Sequence, residues 1–120
     1  MGNKSLRVLN KTRNVPVVTR GVVANSWWTR LKGLLGHAPL QSGEGLLLRG
    51  EKAIHTVGMG FPIDVVFIDR AGRIVHLIPN MGPFRFSPFV FRSVDVLEIA
   101  AGQAAQTGTQ LGDQIEITFK

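Results

Sequence analysis

The chain has 120 residues, with 14 Lys/Arg against 8 Asp/Glu and no cysteine. That length suits a single domain over residues 1–120, with residues 1–5 outside the packed body, burying roughly two-thirds of its unfolded surface. Disulfides, thiolate metal sites and a cysteine nucleophile are excluded, so any metal would fall to three histidines and eight carboxylates.

Fourteen glycines and six prolines punctuate short runs rich in Val, Ile, Leu and Phe, the pattern of a mainly β domain. In chain order the expected strands are Leu6–Leu9, Val17–Ala24, Gly45–Arg49, Ile63–Asp69, Arg73–Ile78, Val94–Ala100 and Gln114–Phe119. One short helix is expected at about residues 26–36. Ser26 suits its N-cap, Trp27, Leu31, Leu34 and Leu35 share one face, and Gly36 suits its end. Asp69-Arg70-Ala71-Gly72 reads as a hairpin turn, with Asp69 bonding its own backbone and Gly72 supplying positive φ. Ile115, Ile117 and Phe119 alternate with Glu116 and Thr118, a strand with one wet face. The fold class is a small β-sandwich or a partly closed β-barrel.

Residues 1–52 carry nine cations against two acids, and residues 53–120 carry five against six. A basic half can attract nucleic acid or an anionic surface. No nucleic-acid motif accompanies it, so a solubilising charge excess is the plainer reading. No apolar run reaches bilayer length, and the first ten residues lack the apolar core of a secretory signal. A cytoplasmic monomer is the expectation.

The chemistry-bearing stretch is Ile54 to Asp69. His55 precedes a Gly/Pro-rich bend, and Asp64 stands in an apolar strand with Val66 and Ile68 on its face. If residues 56–62 loop out, His55 and Asp64 flank the loop. A carboxylate that orients an imidazole is a general acid/base element and equally an ordinary structural bond. Alternatively, Asp64 caps backbone N–H groups of the bend at residues 57–60. Glu98 alternates with Val94 and Val96, so an acid again lies near the core or a groove. His55, Asp64 and Glu98 together would make a polar pocket, the candidate catalytic set if the chain is a hydrolytic or metal-assisted enzyme. Their spacing matches no metal motif, and no cofactor signature is present. Pro79 to Arg92 holds three prolines, with Phe84, Phe86, Phe89 and Phe91 beside Arg85 and Arg92. Those rings either close one end of the core or form an exposed interaction surface.

Arg30-Leu-Lys-Gly-Leu-Leu-Gly36, Gly45-Leu-Leu-Leu48, Ile54-His-Thr-Val-Gly-Met59, Phe61-Pro-Ile-Asp-Val-Val-Phe-Ile-Asp69, Val96-Leu-Glu98 with Ala101-Gly102, and Gly112-Asp113 follow one another in this order. The set resembles the family known as domain of unknown function 192, over about residues 6–119. The resemblance implies a small β-rich domain with one short helix, and no established reaction, substrate or cofactor. It marks Arg30, His55, Thr56, Met59, Asp64, Glu98 and Asp113 as signature positions. Relatives often carry a cysteine just before the Ile-His-Thr element; this chain has Ala53 there, which argues against thiol-dependent chemistry. The expected function is a ligand- or partner-binding module with a polar pocket around His55, Asp64 and Glu98. Arg30, Thr56, Met59, Phe84, Arg85 and Phe86 complete the binding set. A small ligand or a protein is the expected partner, ahead of nucleic acid.

Overall fold

The computed structural model describes residues 5–24 and 39–120. The expected helix at residues 26–36, with Arg30, lies outside the described residues. Among the described residues the strands are β1 (Ser5–Asn10), β2 (Val15–Val23), β3 (Glu44–Arg49), β4 (Ile63–Ile68), β5 (Ile74–Met81), β6 (Asp95–Ala100) and β7 (Ile115–Phe119). They form one sheet in the order β5-β4-β6-β3-β2-β1-β7. Of the two expected architectures, the partly closed barrel is therefore the one formed. The sheet curls until its two outer strands meet at one end, where Arg73 bridges Gln114. There the Ile74 N–H donates to the Asp113 carbonyl at 2.9 Å and the Ile115 N–H to the Gly72 carbonyl at 2.8 Å.

The β4–β5 turn forms as its residues dictate. Asp69 Oδ1 accepts the Ala71 and Arg73 N–H groups, each at 2.9 Å, and Gly72 sits at φ 85. A side chain at Gly72 would also collide with the Ile115 carbonyl, 2.8 Å from its Cβ position. The turn is thus fitted to the strand end that closes the barrel.

Each face of the sheet carries its own core. One cluster draws on every strand through Leu6, Val18, Leu47, Val66, Ile74, Leu97 and Ile115, and fills the inside of the curl. The other packs Leu46, Leu48, Ile63, Val65, Phe67 and Val96 on the opposite face, under Ile54, Met59 and Phe61 of the loop before β4. This is why β4 and β6 are buried at every position, and why their sequences are apolar apart from Asp64, Asp95 and Glu98.

A short helix, α1 (Gln103–Thr107), follows β6, and the sequence did not announce it. It starts at Gly102, φ 91, with no side-chain cap of its own. β5 carries a bulge beside it: Ile63 pairs with Met81 but Val65 pairs with Ile78, leaving Asn80 at φ 52. Both irregularities leave backbone N–H groups in need of acceptors.

Candidate functional site

Asp64 supplies those acceptors. It is 1 % exposed on the inner face. Its Oδ1 accepts the Asn80 N–H at 2.8 Å, and its Oδ2 accepts those of Gly102 at 3.1 Å and Ala104 at 2.9 Å. One carboxylate thereby ties the β5 bulge to the start of α1. A capping role for Asp64 was one of its two readings, but the groups it caps lie in two other places, not in the bend at residues 57–60.

Glu98 does not share a pocket with Asp64. On β4, Val65 stands opposite Glu98 and Asp64 opposite Ile99, so register puts the two carboxyls on opposite faces of the sheet. Leu46 flanks Glu98 from the other side. Glu98 is fully buried, and neither carboxyl oxygen has a hydrogen-bond partner among the described residues. Burial pushes its pKa up to about 8, so at neutral pH it is mostly the uncharged acid.

His55 lies on Glu98's side of the sheet, between Ile54 of the outer cluster and the buried Thr56. Its Nδ1 accepts the Val57 N–H at 3.3 Å. Its ring stands 5.7 Å from that of Phe86, across an antiparallel bridge between the two residues. None of the donors gathered by Asp64 is His55, so the expected imidazole–carboxylate element is not assembled there. Met59 packs into the outer cluster and donates its N–H to the Thr56 carbonyl at 3.1 Å.

What the structure does bring together is His55, Thr56, Phe84, Arg85 and Phe86. Residues 52–56 and 84–90 run side by side as an irregular ladder. Thr56 N–H donates to Arg85 O at 2.8 Å, Ser87 N–H to Ile54 O at 2.9 Å, and Val90 N–H to Lys52 O at 2.7 Å. Thr56 is the central pin. Its hydroxyl donates to Gly82 O at 2.6 Å and accepts Arg85 N–H at 2.8 Å, while its carbonyl accepts Phe84 N–H at 3.1 Å. Phe84 is held at φ 57, a conformation that a bulky side chain adopts only when its surroundings impose it.

The phenylalanines of this segment face water. Phe84, Phe86, Phe89 and Phe91 are 68–78 % exposed. Of the two readings of this stretch, closing the core and forming a surface, the second describes it. Lys52 Nζ donates to the Phe91 and Ser93 carbonyls at 2.9 and 2.7 Å and lies 5.8 Å from the Phe91 ring centroid. A proline-stiffened backbone, pinned by Thr56, therefore presents four bare aromatic rings among cations.

The remaining signature residue, Asp113, is structural. Burial opposes its ionisation, but bonds from Arg13, Asn10 and the Gln110 N–H hold its carboxyl below the usual range. A cleft of about 530 Å³ lined by Arg49, Arg70, Asp95, Glu116 and Phe119 lies beside the Gly72–Ile115 contact where the outer strands meet. Its charges are mixed, and Arg49 is engaged by Asp95 at 3.2 Å. Among the described residues, no three His, Asp or Glu side chains are grouped to hold a metal ion. No described helix is long and apolar enough to cross a membrane.

Solved structures share this architecture. A protein of unknown function from Novosphingobium aromaticivorans superposes with a TM-score of 0.75 at 24 % identity, over 93 % of this chain and 83 % of that one. A Sinorhizobium meliloti protein called "a putative transcription regulator" gives 0.73 at 22 % identity, over 96 % and 93 %. At such identities the likeness shows the fold alone. No curated protein matches the sequence. Residues 8–117 match the family DUF192, "Uncharacterized ACR, COG1430", and the chain belongs to that family.

Proposed function

We propose that this domain is a binding module whose contact face is the aromatic ladder at residues 52–56 and 84–91. The internal pocket expected around His55, Asp64 and Glu98 is not the basis of this reading, since register separates the two acids. The observation that carries it is the exposure of four phenylalanines on a hydrogen-bonded backbone. Phenylalanine normally goes to the core, where burying each ring contributes roughly 2–3 kcal/mol. A chain that pins such rings in water is holding apolar area ready for a partner. Phe84, Arg85 and Phe86 are the contact residues, Thr56 fixes them, and His55 lies against Phe86.

The test uses the anionic aromatic probe 8-anilinonaphthalene-1-sulfonate with folded protein. Saturable fluorescence is expected, with amide shift changes confined to residues 52–56 and 84–92. A Phe86→Ser/Phe89→Ser variant should bind the probe at least about tenfold more weakly while unfolding at the wild-type temperature. Probe binding that is absent, or that the double substitution leaves unchanged, contradicts the reading.

A further inference from the structure

We infer that the partner of this face is an anionic lipid bilayer surface. The inference rests on the binding reading above and adds the class of partner. Three features favour a bilayer over a protein groove or a single-stranded nucleic acid.

The first is charge. Residues 52–62 and 82–94 contain Lys52, Arg85 and Arg92 and no acid. The ion pairs among the described residues are Arg13–Asp113, Arg20–Glu44 and Arg49–Asp95, so Arg85 and Arg92 are not neutralised by them. Lys52 is steadied by carbonyl groups rather than by a carboxylate, with its Nζ 5.8 Å from the Phe91 ring centroid. The occupant this charge selects is anionic.

The second is the character of the rings. All four are phenylalanine, in a chain without tyrosine. A Phe ring enters an acyl boundary without surrendering a hydrogen bond, and Phe is among the residues that interfacial segments bury there.

The third is the backbone. Within residues 83–90 the N–H groups of Phe84, Arg85, Ser87 and Val90 are bonded, and Pro83 and Pro88 have none. Hydrocarbon penalises unpaired backbone donors heavily, so a loop that enters it must satisfy most of them beforehand. A nucleic acid bound in water makes no such demand. The geometry therefore suits shallow insertion of Phe84, Phe86, Phe89 and Phe91, with Arg85, Arg92 and Lys52 at the level of the lipid phosphates.

The experiment is co-sedimentation of the full chain with phosphatidylcholine vesicles, with and without phosphatidylglycerol. Binding to the phosphatidylglycerol vesicles is expected to be at least about tenfold tighter, and to weaken as salt is raised. Arg85→Ala with Arg92→Ala should weaken it about twenty-five-fold, at roughly fivefold per cation. Phe86→Ser with Phe89→Ser should remove it without changing the unfolding temperature, because both rings are exposed. No sedimentation with either lipid, equal binding to both, or indifference to the Phe substitutions overturns the lipid assignment. If vesicles are ignored while the sulfonate probe still marks residues 84–92, the binding face stands and its partner is not a membrane. If the probe fails as well, both readings fall. Oligothymidylate bound through the same phenylalanines, with vesicles ignored, assigns the face to single-stranded nucleic acid and overturns the lipid inference.

Discussion

Replacing Glu98 with leucine is expected to stabilise the protein by about 3 kcal/mol at pH 7. Most substitutions at a fully buried strand position destabilise, so the sign is the informative part. The folded-state pKa of about 8 lies above the ordinary 4.5, so between those values folding requires proton uptake. The penalty is absent below about pH 4.5, grows by about 1.4 kcal/mol per pH unit, and levels off above about pH 8. Wild type should therefore lose stability as pH rises through that window, and Glu98→Leu should lack this component of the pH dependence. Glu98→Gln should lack it too, but gain less, because a buried amide without partners still costs roughly 1–3 kcal/mol. Leucine matches the neighbouring Leu46 and Val65 in character and fills a similar volume. Urea unfolding of the three proteins at pH 5 and pH 8 reads both effects. A Glu98→Leu protein less stable than wild type at pH 7 would show that the carboxyl depends on a partner.

Asp64→Ala should act in the opposite direction, and strongly. It removes three bonds to backbone N–H groups, leaving the Ala104 donor buried and those of Asn80 and Gly102 partly so. A loss of about 4 kcal/mol is expected, with the unfolding temperature lower by roughly 15 °C. Asp64→Asn should recover part of the loss, since the amide oxygen can still accept while the NH2 group faces donors. The damage should also be local to the irregular segments. Faster amide exchange is expected at Asn80, Gly102 and Ala104 while the β3–β6 pairing stays protected. A loss below about 1 kcal/mol would mean that those donors find other acceptors, and that Asp64 has a different reason to be there.

The two acids also show where sequence reading reaches its limit. Alternation correctly grouped Asp64 with Val66 and Ile68, and Glu98 with Val96, because side-chain direction along a strand is a local property. Whether those two faces are the same face depends on how β4 pairs with β6. That pairing joins residues 27 to 37 positions apart and leaves no mark in either segment. The seven strands were legible because β-branched and aromatic runs stand between glycines and prolines, which act locally. The β4–β5 turn was legible for the same reason. α1 was not: Gln103–Thr107 is too short for a periodic stripe, and its N-terminal groups are satisfied by Asp64 from a distant strand. The phenylalanine segment was recognisable as unusual, but its exposure was not decidable from composition. Phe84 to Phe91 would serve equally well as a core lid. Their turn toward solvent follows from Thr56, which ties the adjoining backbone from nearly thirty residues away.

A pre-built aromatic face is tested most directly by amide hydrogen exchange across residues 84–90 in the free protein. The N–H groups of Phe84, Arg85, Ser87 and Val90 should exchange slowly although the rings beside them stand in water, and Thr56→Val should release Arg85 first. Exchange of all four at the rate of an unstructured loop would contradict a fixed binding surface, and would make the exposed phenylalanines a consequence of disorder instead.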